Sequence, residues 1–548
     1  MTRPITRRMR LALALLTPAF SACVIGTETA HADEITSSGL ETVVVQSYLE
    51  DPAPVAEVEA TAEEEVVKPP AASEPPAPVY EEYVPAPVYQ SPSCNCCTKD
   101  DKAAATAAMK SAYAGVFYGN NFSYLKDPCY DGPSFWGDCL KNMDMPLGTL
   151  SLGGETRFRY HNERNHRGVG ITGRDDNFWL SRQRLFADWK VCDELRFYGE
   201  VLDANSSGEF FGPRPIEEND LDIQNLFVDV KLLDGDMGKF TLRVGRQELL
   251  YGAQRTISPL DWANTRRTFE GIRGLYQNGD TSLDAFWTMF VPVDPDSADE
   301  ANEDIQFYGL YATQKNTGLG TLEAYYLGFD NTIADFSYHT IGSRVSGKTD
   351  SGFLYDLEGA FQFGDNANAG DDDHSAAFIT AGIGRKFETD FLSPTVWFYY
   401  DWASGEEDFA EAGRGDGGYD HLFPLAHKYN GFMDLFGRRN LHDINVFSAT
   451  PLGDKVTMIL WYHYFMLDQD TTPYSVVMTP YETTTQAQSR DLGHEIDVAF
   501  NINLCPRKNI LIGYSHFTAG DYYDDPNIGP ADEDNDADFF YSQFQMRY

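Results

Sequence analysis

The stretch LGGETRFRYH, Leu152–His161, changes character at almost every step. Leu152, Phe158 and Tyr160 fall on one side of an extended chain, and Glu155, Arg157, Arg159 and His161 on the other, because successive strand side chains point to opposite faces. Roughly ten residues is also the length of a tilted strand that crosses a bilayer. The pattern recurs. SLDAFWTMFV (282–291) sets Leu283, Ala285, Trp287, Met289 and Val291 against Asp284 and Thr288, and GHEIDVAFNI (493–502) sets Glu495 and Asp497 against Ile496, Val498 and Phe500. KVTMILWYHYF (455–465) behaves similarly. Counting such runs from Leu150 to Tyr548 gives about 18 strands, an even number as bacterial single-chain barrels require.

The connections support the same fold. KVCDEL, LLDGDMGK, QNGDT, QKNTGLG, GKTDSG, TPLGDK and LCPRK are short, and most carry Gly-type turn chemistry. Between them lie long polar stretches such as NSSGEFFGPRPIEENDLD, PVDPDSADEANED, Ser404–Asn440 and Asp468–Arg490. Tight turns at one end and long loops at the other are the mark of an outer-membrane barrel. The final strand, FFYSQFQMRY, alternates Phe540, Phe544, Met546 and Tyr548 and ends on an aromatic. It resembles the C-terminal signal by which such barrels are recognised for insertion. A propeller would show a repeat of about 40–50 residues with a common signature, and none is evident.

The formal charge of -42 over 548 residues disfavours nucleic acid as a partner, since phosphate binding needs a basic surface. An interior channel can still differ in sign from the outer loops. Beyond the N-terminus no run reaches the roughly 18 apolar residues of a spanning helix, and mean hydropathy is -0.40.

The N-terminus reads as an export signal: Arg3, Arg7, Arg8 and Arg10 precede the apolar LALALLTPAF. Ala30-His31-Ala32 before Asp33 fits ordinary cleavage, while FSAC ending at Cys23 resembles a lipoprotein signal with a poorly fitting Phe20. From Asp33 the chain is Pro-, Ala- and Glu-rich, an acidic linker expected to be disordered. KDDKAAATAAMKSAYAG then predicts one helix, followed by a small cap or plug. In an exported protein Cys129 and Cys139, close in sequence, are a candidate local disulfide. Cys94, Cys96 and Cys97 lack a second cluster or nearby His, which favours disulfides or linker thiols over a metal site. Cys23, Cys192 and Cys505 have no assignable partner.

If apolar faces meet lipid, polar faces line the lumen. Parity then points Arg157, Arg159, Arg182, Arg184, Arg196 and Arg243 inward. Arg246 comes at a strand exit, Arg255, Arg266 and Arg267 in the following loop, and Arg273 where the next strand begins. Two readings follow. The inward acids Glu155, Asp188, Glu200, Asp229, Glu495 and Asp497 can pair with the arginines as an internal ladder that stiffens the wall. Alternatively the arginines form a basic conduit, whose planar guanidinium forks suit carboxylates and whose successive sites let a polyanion move on.

RVGRQELLYGAQRTISPLDWANTRRTFEGIR (243–273), with HLFPLAHKYNGFMDLFGRRNLHD (421–443), resembles the alginate-export family of outer-membrane porins. The likeness spans roughly Leu150–Tyr548. It implies an 18-stranded barrel with an arginine-rich selectivity passage for an anionic uronate polymer leaving the cell. On this chain it implies that Gly245-Arg246-Gln247 closes a strand. It also implies that the segments holding Pro259, Asp261, Trp262, Asn264, Thr268 and Phe269 form an ordered loop at the mouth of the passage or folded into it. Two features depart from the family. LCPRK is short where exporters of this type carry a long periplasmic plug, for which the extra N-terminal region is a candidate substitute, and the acidic linker lies outside the family core.

Other constellations are weak. Asp532, Asp534 and Asp536 have calcium-loop spacing, but Ala537 stands where the turn glycine belongs and no closing Glu follows. Acidic loops near Asp294–Asp304 and Asp371–Asp373 are at most loose cation sites. His463, His494 and His516 lie on strands without a catalytic motif around them. The sequence thus reads as an all-β, transmembrane antiparallel barrel. Its parts are a signal peptide (1–32), a linker (33–98), a Cys-containing segment (99–149) and an outer-membrane barrel (150–548), with the extension in the periplasm. Its expected role is passive passage of an anionic saccharide or small anion, with no cofactor, no metal and no covalent chemistry. Expected partners are that saccharide, outer-membrane lipid and, through the extension, periplasmic export components or the cell wall. The alternative is a general or structural surface barrel with internally paired charges.

Overall fold

The computed structural model describes residues 97–548 apart from 169, 334–335, 366–372, 390–391, 410–416, 483, 526 and 529–534. The export signal, the linker up to residue 96, Cys23, Cys94, Cys96, Asp371, Asp372, Asp532 and Asp534 lie outside the described residues.

Eighteen strands form the barrel. The first six are β1 (Thr149–Arg164), β2 (Asp176–Lys190), β3 (Leu195–Ser207), β4 (Asn219–Gly235), β5 (Gly238–Gln247) and β6 (Thr268–Asn278). Next come β7 (Thr281–Val291), β8 (Ile305–Thr317), β9 (Gly320–Asn331), β10 (Phe336–Lys348), β11 (Phe353–Asp365) and β12 (Asp373–Lys386). The last are β13 (Thr395–Ala403), β14 (Leu441–Pro451), β15 (Val456–Met466), β16 (Asp491–Cys505), β17 (Lys508–Ala519) and β18 (Ala537–Arg547). Each pairs antiparallel with its sequence neighbours, and β18 returns to β1 with Asp538 opposite Arg164 and Arg547 opposite Glu155. Closure leaves no sheet edge unpaired.

Alternation dictates which face is which. On β1 the odd residues from Ser151 to Glu163 are buried while Phe158 is exposed; on β2 Arg182, Arg184 and Phe186 are buried while Trp179 is exposed. Trp287, Phe398 and Ile496 lie on the same outward surface, bare of protein cover, as a lipid-facing band requires. No helix among the described residues is long and apolar enough to cross a membrane, so the crossing elements are strands. Turns such as 236–237, 279–280 and 506–507 gather at the end that carries the N-terminal segment and the C-terminus. The long connections 248–267, 404–440 and 467–490 gather at the other.

The lumen is partly filled. Helix α1 (Lys99–Lys110) begins at a Thr98–Asp101 capping box, with Asp100 and Asp101 in its first turn, which complements the helix dipole. After it, Phe117, Phe122 and Tyr124 pack against Phe186, Tyr198 and Phe227, inward residues of β2, β3 and β4. The N-terminal segment therefore enters the barrel. The predicted Cys129–Cys139 disulfide is not formed: Cys129 is bonded to Cys97, which the start of α1 brings alongside, and Cys139 is in another disulfide. Nearness in sequence lost to the docking of the helix.

From the opposite end, loops 248–267 and 404–440 fold inward and pair with each other. Ile257 and Phe423 form a parallel bridge, and Leu425 N–H donates to Gln254 O at 2.9 Å. Phe423 packs among Phe269, Phe290 and Phe307. The inward face thus carries aromatics as well as charges, and these anchor the loops.

Candidate selectivity passage

Most inward arginines meet carboxylates. Arg182 bonds Glu155 at 2.6 Å and Asp261 at 2.8 Å; Arg184 meets Glu200 at 2.6 Å. Arg196 and Arg243 share Asp229, Arg196 also holding Asp188. From the loop, Arg255 pairs with Asp356 and Glu358 on β11, and Arg266 with Glu248 and Asp261. Arg273 meets Asp284 at 2.5 Å. Arg246 is a correction. It stands in register with Leu226 and Glu270, on the side that exposes Leu226 and Ile272, and pairs there with Asp222 and Glu270. Three residues beyond the inward Arg243, it shares the outward face with Val244.

Arg157, Arg159 and Arg267 bind differently. Arg157 donates to the carbonyls of Asp261 (2.7 Å) and Ala263, and makes no ion pair within the described residues. Arg159 donates to Trp262 O at 2.8 Å and to the Gln543 amide oxygen at 2.7 Å. Its guanidinium lies 3.7 Å from the centre of the Trp262 ring. The other face of Trp262 is stacked on His427, 3.5 Å away, so loop 404–440 holds the tryptophan that holds the arginine. Arg267 donates to Ser258 O and Pro424 O, tying the two loops.

The segment resembling the exporters acts as the frame. Gly245 has φ +128°, and a Cβ there would meet Leu226 O at 2.2 Å, so only glycine suits the bend. Gln247 closes β5, and the Asn264 amide donates to Ser181 O and Glu217 O across the wall. Thr268 Oγ1 donates to Gln224 O at 2.9 Å, Phe269 joins the aromatic cluster, and Pro259 O accepts from Arg267 N–H.

Beside the frame runs a cavity of about 260 Å³. Lys110, Arg157, Arg159, Lys428, Arg507, Lys508 and Arg547 line it, with Asp261 the one carboxylate in its wall among the described residues; Arg507 and Arg547 also pair with Asp138 and Glu155, which lie outside the wall. Asn501, Asn503, Gln543 and Gln545 contribute amides from β16 and β18. It extends from the short turn at Pro506-Arg507 to Trp262 and His427. Sequence reasoning gives Arg157 and Arg159 by parity and misses the parts of this wall that come from α1, loop 404–440 and β16–β18. Parity carries a signal for some of it, because Asn501 and Asn503 share the inward side with Glu495 and Asp497. Lys110 and Lys428 have no such signal, since tertiary folding alone brings a helix end and a loop to the same place.

A closed 18-strand barrel with a lipid-facing exterior and a charged, partly filled lumen is an outer-membrane porin-type channel. A family model described as alginate export matches residues 149–533, most of the chain. The chain belongs to the alginate export family. Among solved structures it is similar to Pseudomonas aeruginosa OccD3, at 11% identity and TM-score 0.47, covering 72% of this chain and 91% of that one. The outer membrane protein OpdK of the same species is 10% identical, TM-score 0.48, with 73% and 98% covered. A BenF-like porin from Pseudomonas fluorescens is 12% identical, TM-score 0.47, with 73% and 99% covered. No curated protein matches the chain by sequence.

Proposed function

We propose that the chain gives passive, selective passage to an anionic saccharide, an alginate-like polyuronate or a related small anion. The observation that carries this reading is the cavity just described: seven cationic side chains and one carboxylate line it, in a chain of formal charge -42. A basic cleft with low-dielectric walls concentrates anions however acidic the outer loops are. Carboxylates suit the guanidinium forks, and the wall amides offer donors and acceptors to sugar hydroxyls. Salt dependence should be marked, because exposed cations are screened over about 8–10 Å at ordinary ionic strength.

The paired arginines favour the second reading at their own positions. Arg184, Arg243, Arg255 and Arg273 meet carboxylates across or near the wall and serve a stiffening ladder. The selective task then falls on Arg157 and Lys508, which make no ion pair among the described residues. The N-terminal extension would reach periplasmic export components or the cell wall. Neutralising Arg157 and Lys508 together should lower anion selectivity and weaken block by polyuronate in planar bilayers, whereas Arg273→Gln should chiefly lower stability. Equal effects on selectivity at both sets would sink this division of labour.

A further inference from the structure

Two residues in the wall of the basic cavity, Arg157 and His427, each carry a buried nitrogen with no hydrogen-bond partner among the described residues: Arg157 Nε and His427 Nε2. The two residues are 2% and 4% exposed. Buried polar groups are nearly always paired, so each nitrogen calls for a partner that the folded chain does not supply.

The rest of each side chain is engaged. Arg157 donates through Nη1 and Nη2 to the carbonyls of Asp261 and Ala263, which leaves its Nε–H without an acceptor. His427 lies on the turn Ala426–Lys428 of loop 404–440. Its Nδ1–H donates to Asp434 Oδ2 at 2.9 Å, because a carboxylate can only accept. In the neutral ring Nε2 is then an acceptor whose lone pair is unused. Trp262 and Phe432 stack on the imidazole, with ring centres 3.5 and 4.9 Å away, so its free edge is the one that carries Nε2. Tyr429 Oη donates to Ala253 O and Leu425 N–H to Gln254 O, which fixes this turn against loop 248–267. Trp262, with Arg159 on one face and His427 on the other, has no face left for a sugar ring. Recognition therefore falls to hydrogen bonds.

The two nitrogens differ in what they take. Chloride or a plain carboxylate can accept from Arg157 Nε–H but brings no hydrogen to His427 Nε2, and a buried acceptor left unpaired is costly. A sugar hydroxyl both donates and accepts. A uronate carries its carboxylate and its hydroxyls on one ring and can satisfy both nitrogens.

We propose that His427, with Arg157, forms a hydroxyl-reading point in the passage, which selects hydroxyl-bearing carboxylates of the uronate class over plain carboxylates and inorganic anions. This rests on the reading of the cavity as an anion conduit.

The test compares, for the full chain in planar bilayers, half-block by an oligouronate with half-block by an oligoacrylate of equal charge, which has carboxylates and no hydroxyls. The parent is expected to be blocked by the oligouronate at about three- to tenfold lower concentration, the worth of one neutral hydrogen bond. His427→Phe keeps a ring between its stacking partners and removes both nitrogens, and heat-modifiable migration on gels verifies that its barrel is closed. It is expected to raise the half-block concentration of the oligouronate by that factor, more than that of the oligoacrylate, so that the parent's preference disappears. A parent blocked equally by the two polymers would overturn the hydroxyl-reading point and leave the basic conduit standing, and so would a His427→Phe variant that keeps the parent's preference. A parent blocked by neither polymer would overturn the conduit reading, and this site with it.

Discussion

Two arginines one residue pair apart on the barrel wall illustrate how partner chemistry divides structure from selectivity. Arg182 is fully buried between Glu155 and Asp261, whereas Arg157, its register partner across the β1–β2 pair, meets only carbonyls from the loop. Arg182→Ala removes the shorter of Glu155's two ion pairs, leaving Arg547 at 3.4 Å, and should cost up to about 3–5 kcal/mol, read as a lower urea midpoint for the closed barrel. Arg157→Ala should cost clearly less and reduce anion selectivity more. A reversed order would show that Arg157 is the structural member. Lys141 makes a pH-dependent prediction. It is wedged over Phe122 and Phe186 and donates to Leu152 O. Burial pulls its ammonium down to about 7, against the opposing pull of Asp138. A released lysine keeps its proton to about pH 10.4, so between these values the released segment binds more protons than the docked one. Docking therefore strengthens as pH rises through that window and is weakest below it. Protease release of residues 97–148 should be slower near pH 9 than near pH 6, and Lys141→Met should flatten the difference.

At the scale of elements, the strands were legible in the sequence and the lumen contents were not. Period-two alternation on β1, β7 and β16 yields both the sheet and its inward face, since one buried side pins register. Parity itself assigns Arg246 outward, three residues beyond the inward Arg243 and on the face of Val244. The pairing of Cys129 with Cys97 escaped because the docking of α1 decides it. Loops 248–267 and 404–440 read as polar connections, yet each sends aromatic and apolar residues such as Leu249, Ile257, Phe423 and Phe432 into the lumen. Without a period these residues gave no direction. The positive φ at Gly245 is itself testable. Gly245→Ala forces a side chain against Leu226 O at a strained φ, at a cost of roughly 1–3 kcal/mol. A lowered midpoint for heat-modifiable unfolding is expected, and unchanged stability would mean that the bend relaxes freely. Trp262→Ala should leave the strands intact but free Arg159 from its stacking partner, and so reduce polyuronate block without lowering barrel stability by more than about 1–2 kcal/mol.

At the scale of the whole molecule, the barrel separates three environments by alternation alone: lipid outside, paired charges in the wall, and a basic cavity toward β16–β18. An acidic chain can hold such a cavity because the carboxylates that would neutralise it are spent on the wall or placed in the loops. The family relationship supplies the channel architecture, and the cavity supplies the sign of the expected solute. The most direct measurement is the reversal potential of the protein in a planar bilayer across a potassium chloride gradient. A reversal potential displaced toward that of chloride is predicted, diminishing as ionic strength rises. One displaced toward that of potassium would contradict anion passage.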